Sequence, residues 1–286
     1  MNDLRRLDKE ELEKIEISLL LEAIYRYYGH DFRNYKYSSI RRRIWHRISA
    51  ERLHSVSGLQ EKVLHDPETM NRLFMDFSIN VTEMFRDPTF FAALRNKVFP
   101  ALAALPAIRI WCAGCSTGEE AYSVAIALHE EGFYPHTTIY GTDMNRKVVE
   151  QAAAGRVPLL KMQQNTKNYL ASGGKRAFSE YYSVRGDEAV LHPFLSENLV
   201  FSQHNLVTDH SFNEFHLIVC RNVLIYFNEE MQTRVLGLIG SSMAKNGFLA
   251  LGRKEGIPVR FRKDAFDVVD IEEKIYRSRL ARREVR

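Results

Sequence analysis

Hydrophobic positions follow two different patterns along the chain. From Leu4 to about Asp76, leucine and isoleucine recur every three to four residues among charged side chains, a spacing that predicts helices. Beyond Ile108, short apolar runs alternate with helical stretches, which is typical of an α/β domain. The pattern therefore predicts a small all-helical domain with a linker at residues 1–79 and an α/β domain at residues 80–286.

The strands of the second domain are predicted from apolar runs rich in β-branched and aromatic residues. The predicted strands are Ile108 to Trp111, Thr138 to Gly141, Leu199 to Ser202, Phe215 to Cys220, Phe248 to Leu251, Phe266 to Val269 and Lys274 to Arg277. The nearly continuous apolar run at 215–220 suits a parallel strand buried on both faces. A helix is expected after Asn228, with its end at Lys245-Asn246-Gly247.

A stretch of different character interrupts the α/β domain at about residues 156–195. Two alternating runs in it flank the turn-prone triplet Arg185-Gly186-Asp187, which predicts an antiparallel hairpin. The rest of the stretch reads as irregular. A small antiparallel β insertion is therefore expected within this domain.

A glycine loop follows the first predicted strand, in the sequence IRIWCAGCSTGEEAYS from Ile108 to Ser123. Gly114 and Gly118 bracket small residues, and glycine lets a backbone turn sharply and approach a ligand without a Cβ in the way. The spacing is not the G-x-G-x-x-G of dinucleotide folds, and no Lys-Ser/Thr pair follows as in a phosphate-binding loop. Glu119 and Glu120, at the start of the next helix, would repel a pyrophosphate. The loop is therefore expected to bind a small molecule that carries positive charge.

An acid, Asp143, stands at the end of the second predicted strand, about 25 residues beyond Gly118. A carboxylate in this place can accept hydrogen bonds from ribose hydroxyls. A ribose ligand without a phosphate favours S-adenosylmethionine (SAM). The alternative is an ordinary βαβ turn whose acid is merely solvated, and these features alone leave both open.

Charge and composition exclude several classes of protein. The 286 residues carry 40 basic and 36 acidic side chains, a net charge of +4, so no continuous basic surface for nucleic acid is indicated. No apolar run approaches the roughly 18 residues of a membrane span and the first residues are charged, so a cytoplasmic protein without membrane insertion is expected. Cys112, Cys115 and Cys220 lack a second pair or a nearby histidine, so neither a disulfide nor a metal site is expected.

The most basic stretch of the helical domain runs from Lys36 to Ser49, with the sequence KYSSIRRRIWHRIS. Isoleucines form one helical stripe, at Ile40, Ile44 and Ile48. The other side carries basic residues, among them Arg42, Arg43 and Arg47. Such a run is most often a solvated face, and the functional alternative is a surface that docks an acidic helix or a nucleic acid.

Five motifs occur in the order that one known family has. They are NVTEMFR (Asn80 to Arg86), WCAGCSTGEEAYS (Trp111 to Ser123), GTDMN (Gly141 to Asn145), HNLV (His204 to Val207) and CRNVLIYF (Cys220 to Phe227). In these motifs the chain resembles, over nearly its whole length, the CheR family of SAM-dependent methyltransferases, which methyl-esterify glutamates on chemotaxis receptors. The resemblance implies an N-terminal helical domain and a Rossmann-like class I methyltransferase domain with a small antiparallel insertion.

The resemblance also implies which residues bind SAM and its product S-adenosylhomocysteine (SAH). They are Asn80, Thr82, Arg86, Gly114, Gly118, Glu120, Asp143, Met144, Asn205, Leu206, Arg221 and Asn222. Arg86 would pair with the methionine carboxylate of the cofactor, Asp143 would hold its ribose, and Met144 would pack near its adenine. Arg221 and Tyr226 would face the methyl-accepting site as catalytic residues.

The implied reaction needs no general base. A glutamate side chain has an ordinary pKa of about 4.3 and is already an anion at neutral pH, so the tasks of the enzyme are placement and desolvation. The implied partner is the cytoplasmic helical domain of chemotaxis receptors, docked through Arg42, Arg43 and Arg47, and a monomer is expected. Whether the insertion docks the C-terminal peptide of a receptor stays open.

Two other functions remain as alternatives. A nucleic-acid or other protein methyltransferase would use the same cofactor, but the Asn/Asp-Pro-Pro-aromatic signature of amino-methylating enzymes is absent at Arg221-Asn222-Val223-Leu224. A non-catalytic SAM-binding signalling module would need a damaged acceptor site, and Arg221 and Tyr226 are intact. Gly252-Arg253-Lys254-Glu255 departs from the family pattern by its added positive charge, which leaves the substrate surface open.

Overall fold

The computed structural model describes residues 8–78, 82–258 and 265–279. Contacts within the chain divide it into two compact units, Met1–Ile79 with Tyr226–Thr233, and Asn80–Ile225 with Arg234–Arg286. We name them the helical unit and the sheet unit. Within the described ranges, no helix is both long and apolar enough to span a membrane.

The helical unit has four helices between residues 8 and 78. They are α1 (Lys9–Tyr28), α2 (Tyr37–Ala50), α3 (Val56–His65) and α4 (Pro67–Phe77). Their ends follow the local sequence, because Gly29 closes α1 in a left-handed conformation and the side chains of Ser55 and Asp66 accept backbone N–H groups at the starts of α3 and α4. Apolar faces that include Ile24 and Ile44 form the buried interior.

The sheet unit has ten strands within the described residues. They are β1 (Ile108–Ala113), β2 (Thr137–Asp143), β3 (Arg156–Pro158), β4 (Tyr182–Arg185), β5 (Glu188–Leu191), β6 (Leu199–Gln203), β7 (Phe215–Cys220), β8 (Met243–Leu251), β9 (Phe266–Asp270) and β10 (Ile275–Ser278). Seven of them form one sheet in the order β6-β2-β1-β7-β8-β10-β9, in which the first five are parallel and β10 is antiparallel to both neighbours. The predicted Rossmann-like fold is confirmed, and the seven predicted strands occur within a few residues of their expected positions.

The sheet unit also contains helices. In the described residues they are α5 (Pro88–Ala93), α6 (Phe99–Leu102), α7 (Glu119–Glu130), α8 (Arg146–Ala154), α9 (Met162–Ala171) and α10 (Glu229–Ser241), the first part of α10 belonging to the helical unit. A π-helical turn at Leu94–Val98 joins α5 to α6. Nearly all of β1 and α7 is buried, so the strand, glycine turn and helix predicted from the sequence lie at the centre of the unit.

The predicted insertion is a small antiparallel sheet with the order β3-β5-β4. It also contains α9, which the sequence pattern left irregular because two of its four buried positions are asparagines and hide the apolar period. The carboxylate of Glu130, at the end of α7, anchors the insertion by accepting hydrogen bonds from the hydroxyls of Tyr169 and Tyr181. Arg95 pairs with the same carboxylate at 2.5 Å.

One predicted boundary is wrong. Lys245-Asn246-Gly247 was expected to end the helix after Asn228, but α10 ends at Ser241 and the triplet lies inside β8. Asn246 has a left-handed φ of 59°, and a Cβ on Gly247 would lie 2.9 Å from the Ala244 carbonyl oxygen. The turn-forming residues therefore make an irregularity within a strand, where the pairing with β7 shifts register.

Candidate active site

The carboxyl ends of the parallel strands share one edge of the main sheet. β1 lies between β2 and β7, and β7 also pairs with β8, all in parallel register. Chemistry-bearing residues follow these strands: the glycine loop after β1, Asp143 at the end of β2, Arg221-Asn222 after β7 and Gly252 after β8. In open α/β sheets, ligands bind in a crevice at this edge, so it is the candidate site.

The glycine loop turns tightly against the end of β2. The backbone N–H groups of Gly114 and Cys115 both donate to the Thr142 carbonyl oxygen, at 2.8 Å each. Gly114 and Gly118 have left-handed φ angles of 76° and 93°, and an added Cβ would lie 2.5 Å from Val223 Cγ2 and 2.9 Å from Ala152 Cβ, respectively. Both positions therefore require glycine, as the sequence indicated.

Asp143 ends β2 beside this loop. Its Oδ2 accepts the Ser116 N–H and its Oδ1 accepts the Asn145 N–H, both at 3.0 Å. Each carboxylate oxygen can accept further hydrogen bonds, so the pair of oxygens can also receive two ribose hydroxyls. Burial raises the pKa of Asp143, and the backbone N–H bonds act in the opposite direction by stabilising the charged form.

The segment from Thr82 to Asp87 is held by two helices of the sheet unit. On one side, α9 supplies Asn165, whose Oδ1 accepts the Met84 N–H, and Asn168, whose Nδ2 donates to the Met84 carbonyl, both at 3.2 Å. On the other side, the Phe85 N–H donates to Ser123 Oγ of α7 at 2.9 Å. Phe85 and Asp87 have left-handed φ angles of 53° and 56°. The segment therefore keeps an unusual backbone conformation that these contacts over-determine.

Arg221 joins this segment to α7. Its Nη2 contacts Asp87 Oδ2 at 2.5 Å and its Nη1 contacts Glu120 Oε2 at 3.1 Å, while the guanidinium lies 4.0 Å above the ring centre of Phe90. The side chain is only 1% exposed. Its Nε–H has no acceptor among the residues that the structure describes. A buried guanidinium with an unused donor thus lies at the candidate site.

The two acids that open α7 have different partners. Burial raises the pKa of Glu120, while Arg221 and then Arg86 oppose that shift by their charge. Burial also raises the pKa of Glu119, whose carboxylate accepts the Thr117 hydroxyl at 2.6 Å. The site is therefore a network of buried charges in which protonation and position are coupled.

Two family models cover most of the chain. Residues 80–275 match the model described as "CheR methyltransferase, SAM binding domain", and residues 15–78 match "CheR methyltransferase, all-alpha domain". The chain belongs to the CheR methyltransferase family. The resemblance found in the five motifs is thereby confirmed, and so is SAM as the cofactor.

Individual relatives agree with the family models. A Pseudomonas putida protein named Cher3 is 46% identical over 92% of this chain and 96% of its own length. A Listeria monocytogenes protein named chemotaxis protein methyltransferase is 29% identical over 80% of this chain and 85% of its own length. A Vibrio parahaemolyticus protein of the same name is 34% identical over 62% of this chain and 65% of its own length. The structure of PKMT2 from Rickettsia typhi in complex with AdoHcy matches at a TM-score of 0.34 and 15% identity, over 60% of this chain and 26% of that one, a likeness too distant to carry an argument.

The edge of the sheet fits the SAM of the CheR family. Asp143 offers two acceptor oxygens at the end of β2, as a ribose requires. The Arg221 Nε–H is a buried donor that lacks an acceptor within the described residues. Arg86, whose charge reaches Glu120, belongs to the same edge and can hold a carboxylate. These residues together offer donors and acceptors for both polar ends of the cofactor.

The other residues implied by the CheR resemblance occupy varied places. The Thr82 carbonyl accepts from Lys161 Nζ at 3.4 Å, and the Met144 carbonyl accepts from Gln203 Nε2 at 3.0 Å. Asn205 uses its side chain locally, with Oδ1 accepting the Val207 N–H, and Leu206 is buried. Asn80 lies outside the described residues. Contact of these residues with the cofactor stays a prediction.

Tyr226 belongs to the helical unit, unlike Arg221. Its carbonyl accepts the Lys36 N–H at 2.8 Å, and the guanidinium of Arg43 lies 5.4 Å from its ring centre. The neighbouring Phe227 forms a β-bridge with Tyr35. The acceptor role expected for Tyr226 stays a prediction.

The basic residues of α2 are not equivalent, which differs from the single exposed face that the sequence predicted. Arg42 is exposed, but Arg43 is buried and donates to the Ser39 carbonyl. Arg47 turns inward to Asp76 Oδ2 at 2.7 Å and Glu51 Oε1 at 3.3 Å. A guanidinium is buried where acceptors receive it, and the sequence of one helix does not reveal distant partners such as Asp76.

Sequence reasoning missed several residues that organise the site. They are Asp87, Lys161, Asn165, Asn168 and Glu255. The asparagines gave no signal, because an amide in a helix is usually solvated. Asp87 before Pro88 did signal a helix start. Glu255 stands in the Gly252-to-Glu255 stretch, where the added charge of Arg253 and Lys254 is the feature that departs from the family pattern.

The three cysteines are buried free thiols, and burial raises the pKa of each. High pKa values keep them protonated, a state unsuited to nucleophilic or redox work. No group of three or more His, Cys, Asp or Glu side chains suited to a metal occurs in the part of the chain that the structure describes.

Proposed function

We propose that this protein transfers a methyl group from SAM to glutamate side chains of chemotaxis receptors, giving glutamyl methyl esters and SAH. The family supports methyl transfer, and the names of the Listeria and Vibrio relatives support the receptor substrate. The observation that carries the proposal is the joint placement of Asp143 and the buried Arg221 at one sheet edge. It provides a ribose acceptor after β2 and, after β7 on the same edge, a cationic group suited to an anionic acceptor.

Bound SAM supplies a methyl group on a positively charged sulfur. A carboxylate oxygen of the acceptor forms the new C–O bond as the C–S bond breaks, so no proton moves and no general base is required. The chain must therefore hold the acceptor carboxylate and exclude water. Positioning of this kind can lower a barrier by roughly 7 to 11 kcal/mol at best.

Arg221 is proposed to serve this positioning. Its terminal nitrogens hold Asp87 and Glu120, so a bidentate grip on the acceptor would require it to exchange one of these partners. Its Nε–H is the donor that needs no exchange, since no described residue accepts from it. The Nη1 atom of Arg221 would meanwhile keep its hydrogen bonds to Glu120 and to the Arg86 carbonyl. Tyr226 is proposed to contact the acceptor.

Docking of the receptor is proposed to use α2. The methylation region of a chemotaxis receptor is an acidic helix, and opposite charges across an interface mainly increase the rate of association. Arg42 is the member of the predicted trio whose side chain is exposed, while Arg43 and Arg47 have internal partners. Such receptors present this region in the cytoplasm, so the protein is proposed to act there, as a monomer.

The experiment is to incubate the purified protein with methyl-labelled SAM and a panel of receptor cytoplasmic fragments. We expect base-labile label on glutamates of at least one fragment, and none on a fragment whose candidate glutamates are replaced by alanine. Label that resists base would exclude a glutamyl ester. SAH binding without transfer to any fragment would contradict the receptor substrate while leaving the cofactor assignment in place.

A further inference from the structure

Glu255 is a buried acid that no step of the reaction uses. Its side chain lies in the turn after β8, and the residue is 8% exposed. The Oε2 atom accepts the Gly252 N–H at 2.6 Å and the Asn222 N–H at 2.9 Å, and the Oε1 atom accepts the Ile225 N–H at 3.2 Å. One carboxylate thus satisfies three backbone donors.

The three donors come from two loops at the candidate site. Asn222 and Ile225 belong to the loop after β7, and Gly252 follows β8. Asn222 has a left-handed φ of 61°, a conformation that a non-glycine residue keeps only when its surroundings hold it. The two oxygens of one carboxylate group can accept several hydrogen bonds at once, so Glu255 is suited to hold this loop.

Gly252 shows how close the packing is. A Cβ on this residue would lie 2.7 Å from Glu255 Oε2 and 2.9 Å from the Asn222 nitrogen. Both distances are shorter than real Cβ contacts, so a side chain at 252 would push the two loops apart. Glycine at 252 and glutamate at 255 therefore act together: the absence of a side chain at 252 lets the Glu255 carboxylate reach the neighbouring loop.

The residues between them point elsewhere. Arg253 pairs with Glu273 Oε1 at 2.6 Å and also donates to the Thr89 hydroxyl, and its side chain is 49% exposed. Lys254 is exposed. The departure from the family pattern thus adds charge at positions whose side chains are not in the Glu255 contact.

We propose that Glu255 is a positioning residue of the methyltransferase site, which fixes the loop Arg221–Ile225 by binding its backbone. Asn222 follows Arg221 directly, so the carboxylate sets where the guanidinium meets Asp87 and Glu120. The inference rests on the proposed role of Arg221 in transfer and on the contact with the cofactor that the sequence predicts for Asn222. A merely structural acid would lower stability when lost but leave ligand affinity intact.

The test compares Glu255→Gln and Glu255→Ala with the matched control Glu273→Gln. Glu273 is also a buried acid near this turn, but it accepts from Arg253 and Thr89 and does not touch the loop after β7. Binding of SAH is measured by calorimetry, well below the unfolding midpoint of each variant. Glu255→Gln keeps one acceptor oxygen, so it stays informative if Glu255→Ala does not fold.

We expect Glu255→Gln to weaken SAH binding by about tenfold and Glu255→Ala to weaken it further, because a shifted loop would cost the cofactor about one hydrogen bond. Glu273→Gln should lower the unfolding midpoint and leave SAH affinity within twofold of wild type. Equal affinities in wild type and Glu255→Gln would overturn the proposal. The measurement uses SAH alone and needs no receptor. A wild-type protein that binds SAH but methylates no receptor fragment would therefore refute the receptor substrate, while the SAH affinities of the variants would still test the role of Glu255.

Discussion

Arg47 in the helical unit and Arg221 in the sheet unit have similar charged neighbours. They differ in how many of their guanidinium nitrogens have a hydrogen-bond acceptor among the described residues. Each lies largely buried between two carboxylates. All three nitrogens of Arg47 are used, since Nη2 also donates to the Arg72 carbonyl at 3.3 Å. Arg221 leaves its Nε–H without an acceptor in the described ranges. Arg95 does the same away from the candidate site, so an unused donor alone does not mark a site.

The backbone conformation near Arg221 distinguishes it from the other buried arginines. Among the described residues, seven that are not glycine have left-handed φ angles: Arg52, Phe85, Asp87, Ser116, Asn222, Asn246 and Lys274. Four of them lie in the candidate site and one in the helical unit. Arg221 thus has left-handed residues at its partner Asp87 and at its neighbour Asn222, whereas Arg47 has one such residue nearby, Arg52, which follows its partner Glu51. An unused donor combined with strain indicates a binding site, while a completed network indicates a role in stability.

The largest effect expected from this contrast is on turnover in Arg221→Ala. We expect methylation of a receptor fragment to fall by about 10²-fold, because Glu120 and Asp87 lose the group that positions them. Arg221→Lys should not restore it, since one ammonium cannot serve both carboxylates and the Arg86 carbonyl. Arg95→Lys is the matched control and should keep normal turnover per folded molecule. Near-normal rates in Arg221→Ala would remove Arg221 from the site.

Asp143→Ala tests whether the carboxylate at the end of β2 binds the cofactor. We expect SAH affinity to fall at least about tenfold, because hydrogen bonds to a charged group contribute about 1.5 to 3 kcal/mol. Asp143→Asn keeps one acceptor oxygen and should lie between the variant and wild type. Calorimetry measures both. Wild-type affinity in Asp143→Ala would show that this carboxylate holds only the Ser116 and Asn145 N–H groups.

Arg47→Ala tests the other half of the contrast. Removing one partner of a buried ion pair destabilises by about 3 to 5 kcal/mol, so we expect a clearly lower unfolding midpoint. SAH affinity, measured below that midpoint, should not change. Arg42→Ala is the control on the same helix and should unfold with wild-type behaviour. A stable Arg47→Ala protein would mean that the network contributes little.

Stability should also depend on pH through Glu51. Hydrogen bonds from Arg72 and then Lys62 lower the pKa of this acid from 4.5 to about 2. Because the folded-state pKa is the lower one, the contribution is present above about pH 4.5 and is lost as the pH falls through about 2. Thermal unfolding of wild type and Glu51→Gln across this range should converge at the acid end. A constant difference between the two proteins would contradict the role of the charge.

The smallest effect is expected from Arg42→Glu. Charge at the rim of an interface mainly changes association rate and salt dependence, so we expect the KM for a receptor fragment to rise a few-fold at low salt and the rise to fade at high salt. Lys245→Glu makes the same charge change at an exposed position of β8 and should leave KM unchanged. If both variants behave alike, α2 is merely a solvated face.

The architecture, and the elements of the site that depend on local chemistry, could be predicted from the amino-acid sequence. Short apolar runs located the strands of the main sheet and the 3.6-residue period located most helices, since buried positions leave a recognisable signal. Gly114 and Gly118 could be identified as necessary because only glycine tolerates their backbone conformation. Asp143 could be placed because parallel strands end at a common edge.

Which charged side chains turn inward, and which groups they contact, depends on the three-dimensional fold. Arg221 finds partners at positions 87 and 120, and Glu255 binds donors at 222 and 225, far away along the chain. Arg42, Arg43 and Arg47 are the same residue type on one helix, yet Arg43 turns inward to Ser39 and the Tyr226 ring, and Arg47 turns inward to Asp76. A pattern of hydrophobic and polar positions records which residues are usually buried, but a guanidinium is buried only where the fold brings acceptors to it.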